Sequence, residues 1–250
     1  MKGWLSAAGR MAMEFLYPAQ CPSCRAEIET ATGICPECWR KITFLAGDLC
    51  RFCSAPLDGD LGPDSVCDAC AHHPPAWSKG AAAVLYDGVG RKLVLALKHG
   101  DRLDIAPLAA SWMLRAGADL VAEADLIVPA PMHWRRLASR RFNQAGELAR
   151  ALSIEADAPH AFAPDLLTRT RATPTQDGKT RGERTENVSG VFSVSPNWRA
   201  SVPGGKILLI DDVMTTGATL SECAEVCRIA GAADVNVLVM ARVARGDWPT

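Results

Sequence analysis

Residues 206–220 read Lys-Ile-Leu-Leu-Ile-Asp-Asp-Val-Met-Thr-Thr-Gly-Ala-Thr-Leu. The apolar run at the start predicts a strand buried on both faces, as in a parallel sheet. The run ends in two adjacent carboxylates. A Thr-Thr-Gly-Ala-Thr turn follows, and then a helical pattern begins. Strand, loop and helix N-terminus in that order are the unit of an open α/β sheet. All the polar groups fall at the strand's C-terminal end, where such sheets bind ligands.

The residue types narrow the ligand. A glycine-containing loop that opens a helix turns several N–H groups toward one point, and the helix dipole favours an anion there. Thr215, Thr216 and Thr219 add hydroxyl donors, which suits a phosphate monoester. The acceptor-only carboxylates of Asp211 and Asp212 suit a pair of sugar hydroxyls beside it. Phosphate plus vicinal diol describes a ribose 5-phosphate. An ordinary strand with an Asp-rich turn is the bland alternative. Two exposed carboxylates with no basic neighbour in the turn argue against it.

The 250 residues allow one medium α/β domain and a small appendage. A formal net charge of −1 excludes a globally basic, histone-like protein but leaves room for local basic patches. No apolar run is long enough to predict a spanning helix. At the N-terminus Arg10 and Glu14 interrupt the apolar residues. The segment therefore reads as a short amphipathic helix over residues 1–18, with Trp4, Leu5, Ala8, Met11, Phe15 and Leu16 near one side, and not as an export signal. Packing on the body of the protein is its plain role; peripheral membrane contact is the sharper one.

Eight of the ten cysteines form four CxxC pairs: Cys21/Cys24, Cys35/Cys38, Cys50/Cys53 and Cys67/Cys70. Each pair makes a knuckle that offers two thiolates to one tetrahedral metal, so the four predict two zinc sites of four cysteines each. With no export signal the expected compartment is reducing, which also favours metal over disulfides. Pairing neighbours in sequence is simplest; pairing the first knuckle with the third satisfies the same spacing. His72 and His73 read as linker residues, and Pro74-Pro75 marks a boundary. The expected organisation is a double ribbon over 19–73 and an α/β domain over 76–250.

Within that domain, strands are expected over Lys79–Tyr86, Asp125–Pro129 and Asp234–Ala241. Helices are expected over Gly90–Lys98, Ile105–Ala116, Ala145–Leu152 and Ala218–Ala230, the last ending at a C′ glycine, Gly231. Lys92 and Lys98 are either solvated or near the cleft. Cys223 and Cys227, four apart on one helix, read as packed core thiols. Arg135, Arg136, Arg140 and Arg141 concentrate positive charge in one strand-to-helix loop, a candidate diphosphate cradle. A long polar loop carries Arg171, Gln176, Lys179, Arg181 and Arg184. Loops of that length are usually functional or disordered, and its charges suit a flap over an anion.

The 207–219 stretch resembles the PRPP-binding signature of type I phosphoribosyltransferases: four apolar residues, Asp-Asp, two apolar residues, Thr-Thr-Gly-x-Thr. Together with the CxxC pairs, Leu97-Lys98-His99-Gly100, Pro129 to His133, Arg140 to Ala145, Arg169 to Gln176 and Arg184-x-x-Asn187-Val188, it is similar to the ComF family. Arg141 stands where that family commonly has glycine and Lys179 where it has an apolar residue; both add positive charge. The resemblance implies a zinc ribbon joined to a type I phosphoribosyltransferase-like open parallel sheet flanked by helices. It implies PRPP with Mg²⁺ held by Asp211 to Thr219, here including Val213, Met214, Gly217 and Ala218. It further implies a cytoplasmic role, at times peripheral at the inner membrane, in uptake of single-stranded DNA during natural transformation, beside a helicase-like ATPase and other competence proteins. Transfer of 5-phosphoribosyl from PRPP to a nitrogen acceptor, with Asp211 and Asp212 as the catalytic carboxylates, is the enzymatic reading. Sensing without turnover is the other, with Trp134, Phe142 and Trp198 as base-stacking candidates.

Overall fold

The computed structural model describes residues 18–30, 32–59, 61–62, 64–99, 102–132, 142–169 and 190–244. Its centre is a four-stranded sheet, all neighbours parallel, in the order β1 (Gly80–Leu85), β6 (Asp234–Arg242), β5 (Lys206–Met214), β2 (Leu126–Pro129). The two central strands carry the continuous apolar runs because both of their faces are covered. Side chains alternate across the pleat. Leu208, Ile210, Leu238 and Met240 face one core, and Ile207, Leu209, Val235, Val237 and Val239 face the other.

The first core is closed by α3 (Gly88–His99), α4 (Ile105–Ala116) and α6 (Gln144–Glu155), with the short α5 (Ala118–Ala122) between. The second is closed by α7 (Ala218–Ile229) and a two-stranded antiparallel ribbon of β3 (Leu167–Arg169) and β4 (Phe192–Val194). This ribbon brackets the long polar loop, most of which lies outside the described residues. Gly231 takes a left-handed φ of +96° after α7, as the C′ position requires. Cys223 and Cys227 are fully buried in the second core, as packed thiols.

The cysteine-rich segment is two copies of one device. Around Cys21 and again around Cys50 the chain makes an antiparallel bridge (Gln20 with Glu27, Leu49 with Pro56). Each cysteine N–H then bonds the carbonyl five residues on, Cys21 to Ala26 and Cys50 to Ala55, both at 2.8 Å. The turns are closed by left-handed residues, Arg25 and Ser54. The second cysteine pair of each copy opens a single helical turn, α1 (Pro36–Trp39) or α2 (Asp68–His72).

These ribbons do not stand apart from the sheet. Residues 43–45 run antiparallel along the free edge of β1: Leu45 N–H donates to Ala83 (3.0 Å) and Leu85 N–H to Thr43 (2.9 Å). Cys21, Cys35 and Cys38 are buried in the first core, and Cys50, Cys53 and Cys67 in the second. The two metal knuckles therefore straddle the sheet edge, one per face.

Candidate functional site

β5 outruns β2. Their pairing ends at Pro129 opposite Ile210, while β5 continues to Met214, paired on its other side with β6. Asp211 and Asp212 thus belong to the strand rather than following it, and they emerge where one neighbour has stopped. Among the described residues no strand flanks them on the β2 side, which leaves a notch there. Thr215 and Thr216 then turn, and Gly217 adopts a left-handed φ of +78° before α7 begins at Ala218. A Cβ at Gly217 would lie 2.7 Å from the Trp77 ring, so both backbone conformation and space demand glycine there.

One expectation needs correction. Asp212 is not exposed: it is 7% accessible and pairs with Lys98 Nζ at 3.1 Å. The basic partner absent from the turn arrives from the end of α3, so Lys98 lies at the cleft while Lys92 is solvated. Burial works against the Lys98 ammonium, but the Asp212 and Asp211 charges outweigh it and raise its pKa above the usual lysine value. Burial pushes the Asp211 carboxyl up to about 7; the Asp212 charge adds to this, and Lys98 opposes it. Asp211 Oδ1 accepts from the Asp212 N–H at 2.8 Å, which fixes its carboxylate along the strand end.

The third wall is the start of α6. Asn143 donates to the Ala130 carbonyl (3.1 Å), and Gln144, 2% accessible, reaches the Lys98 carbonyl at 3.5 Å. These bonds tie the end of β2 and the end of α3 to one helix N-terminus. The arrangement offers two carboxylates, an ammonium, and a loop of N–H and hydroxyl groups at a helix start, a set of groups whose chemistry suits a polyhydroxylated anion. Arg135, Arg136, Arg140 and Arg141 lie outside the described residues, as do Trp134, Arg171, Gln176, Lys179, Arg181 and Arg184. Gly190, just after the long loop, donates to Glu222 of α7 at 2.7 Å, so that loop's return is tied to the helix opened by Gly217. Trp198 packs against the second core with its indole N–H on Asp165 (2.8 Å), a structural placement rather than a free stacking surface.

The eight knuckle cysteines gather into Cys21, Cys24, Cys35 and Cys38, and Cys50, Cys53, Cys67 and Cys70. Neighbours in sequence are the partners. Within each set the sulfurs lie within 4.8 Å of one another. The closest approaches between knuckles, 3.5 Å for Cys24 to Cys35 and 3.7 Å for Cys53 to Cys67, suit tetrahedral zinc, whose Zn–S bonds of about 2.3 Å separate sulfurs by about 3.8 Å. The residues fit two structural zinc sites, each of four thiolates; His72 and His73 are exposed and belong to neither.

Two residues escaped the sequence reading. Arg242, one residue past the strand expected over Asp234–Ala241, is 3% accessible and sits between the loop and the second knuckle. Its guanidinium donates to the carbonyls of Met214 (3.0 Å), Thr215 (2.7 Å) and Cys53 (2.9 Å). Trp77 fills the space over Gly217 and donates to the Phe52 carbonyl at 2.8 Å. A lone cation ending an otherwise apolar strand was the one available signal for Arg242.

A strand–loop–helix with Asp-Asp near the strand's end on a parallel sheet, with paired zinc knuckles folded onto the sheet edge, defines a phosphoribosyltransferase-fold protein carrying a double zinc ribbon. Comparison with known proteins agrees: the double zinc ribbon domain matches residues 12–71 and the phosphoribosyl transferase domain residues 143–247. DNA utilization protein YhgH of Salmonella typhimurium is 30% identical over 234 residues, covering 90% of this chain and 97% of that protein. Competence protein F of Haemophilus influenzae is 27% identical over 229 residues, covering 89% and 96%. Among solved structures, hypoxanthine phosphoribosyltransferase from Trypanosoma cruzi aligns at 13% identity with a TM-score of 0.33, over 61% of this chain and 65% of that one. The chain belongs to the ComF family.

Proposed function

We propose that the notch at the end of β5 binds PRPP with Mg²⁺, and that the protein acts in the handling of incoming single-stranded DNA on the cytoplasmic side. The carrying observation is the strand end itself: Asp211 and Asp212 lie beyond the last β2 pairing, followed shortly by the left-handed Gly217 and the start of α7. Asp211 and Asp212 hold the ribose hydroxyls, and Thr215 to Thr219 hold the 5-phosphate. Lys98 orients Asp212 through their 3.1 Å ion pair. Arg135, Arg136, Arg140 and Arg141 take the diphosphate with its magnesium, and the loop bearing Arg171, Gln176, Lys179, Arg181 and Arg184 covers the ligand. The chain divides, on this reading, into an amphipathic segment over 1–18, the double ribbon over 19–73 and the phosphoribosyltransferase-like body over 76–250.

The names of the relatives, a competence protein and a DNA utilization protein, support the DNA role. Single-stranded DNA and a helicase or other component of the uptake machinery are its proposed partners. No helix of the described residues is long and apolar enough to cross a membrane. Calorimetric titration with PRPP and Mg²⁺, followed for diphosphate release with and without bases, amines and single-stranded DNA, tests the reading. Binding is expected. Release that requires one nitrogen acceptor makes the protein a transferase; binding without release makes it a PRPP-responsive DNA-handling factor. No binding sinks the proposal.

A further inference from the structure

The second zinc knuckle and the loop after β5 share the second core. A cleft of about 370 Å³ opens between them, lined by Cys70, His73, Trp77, Gly217, Ser221 and Arg242. Two side chains bridge it. Trp77 stands on Gly217 and hangs from the Phe52 carbonyl, between the cysteines of one knuckle. Arg242 grips Met214 and Thr215, the last carbonyls before the loop turns, and with its Nε grips the carbonyl of Cys53, itself a zinc-site residue. The same Nη1 also bonds the Val243 carbonyl at 3.0 Å, which anchors the guanidinium to its own strand end. A rigid, planar fork of donors is suited to holding several carbonyls in one fixed arrangement. A zinc ion bound by four thiolates carries a net negative charge, and that charge favours a cation held beside Cys53.

We propose that Arg242 is a positioning residue that locks the second zinc knuckle to the anion-binding loop, so that zinc at Cys50, Cys53, Cys67 and Cys70 and an anion at Thr215 to Thr219 stabilise each other. This rests on the phosphosugar reading of the loop for its ligand, though not for the mechanical link. Coupling between sites is reciprocal in equilibrium affinity, so each ligand tightens the other's binding by the same factor.

The test uses the zinc-loaded full chain, with release of zinc to a chromogenic chelator followed with and without PRPP and Mg²⁺. PRPP is expected to slow release from one of the two sites about tenfold, within the usual range of coupling between sites, and Arg242→Met is expected to abolish that protection. A merely structural arginine leaves the protection intact in a variant that still folds. Amide exchange supplies the second readout: in Arg242→Met, residues 215–219 exchange faster while Ile127 and Val128 of β2 do not. Release insensitive to PRPP in a chain that binds PRPP overturns the proposal, as does unchanged loop exchange in the variant. If the wild-type chain binds no PRPP, the functional reading fails and the exchange arm alone decides the link. Should Arg242→Met not fold, Arg242→Lys, which keeps the charge but loses the fork, takes its place in both arms.

Discussion

At the residue scale the site turns on two neighbouring carboxylates in unlike surroundings. Asp212 is paired with Lys98, whereas Asp211 is held protonated up to about pH 7 by burial and by the adjacent charge. A carboxyl whose folded pKa is raised binds more protons folded than unfolded, so its contribution to stability falls as pH rises from about 4 to about 7. Asp211→Asn removes that cost. Its melting temperature is expected to exceed the wild type's at pH 8, by an amount corresponding to about 1–3 kcal/mol, and to converge with it near pH 4; an identical pH dependence in both chains contradicts the assignment. Asp212→Asn is expected to do the reverse, costing about 1–3 kcal/mol by leaving the Lys98 ammonium without its partner in the cleft. A thermal scan at neutral pH separates the two. This asymmetry was hidden in the sequence, where Asp211 and Asp212 look alike. Lys98 lies over a hundred residues earlier, and only the docking of α3 brings it in.

Among the elements, β5 and its loop were legible because their constraints are local. A continuous apolar run reports burial on both faces, and a glycine before a helical pattern reports a backbone that turns left-handed. The four CxxC pairs were equally legible, since a tetrahedral metal takes thiolates in such pairs, whereas which pairs share a metal came only from the structure. What the sequence concealed was contact at long range. Residues 43–45 become a partner for β1, and Trp77 becomes the lid over Gly217, because edge pairing and side-chain packing carry no periodic signature. That packing gives a sharp expectation. Gly217→Ala meets both an unfavourable φ, costing about 1–2 kcal/mol, and the Trp77 ring. It is expected to lose at least that much stability in denaturant unfolding and to weaken anion binding more than Gly204→Ala, whose glycine also has a positive φ but open space around it. Equal behaviour of the two variants removes Trp77 from the account.

For the whole molecule, the zinc ribbons are parts of the two cores rather than an appendage. Three cysteines of each site are buried in the same clusters as Leu93 and Met113 on one face of the sheet and as Val237 and Leu220 on the other. The full chain is expected to carry about two zinc ions by metal analysis, and stripping them to lower the melting temperature of the α/β body by roughly 10 °C or more. A body that melts unchanged without metal means the knuckles only lean on the sheet. The boundary at Pro74-Pro75 thus marks a change of chain composition more than a gap between bodies. The family's two modules are joined through Arg242, Trp77 and the β1 edge.

The most direct test of the central claim is calorimetric titration of the wild-type chain and the Asp211→Asn/Asp212→Asn double variant with PRPP and Mg²⁺. At pH 8, above the Asp211 pKa of about 7, two lost charge-assisted hydrogen-bond acceptors amount to an affinity drop of about a hundredfold or more. The account predicts binding in the wild type and that loss in a double variant that still melts cooperatively. Equal affinity in both chains contradicts it and moves the phosphosugar site away from the end of β5.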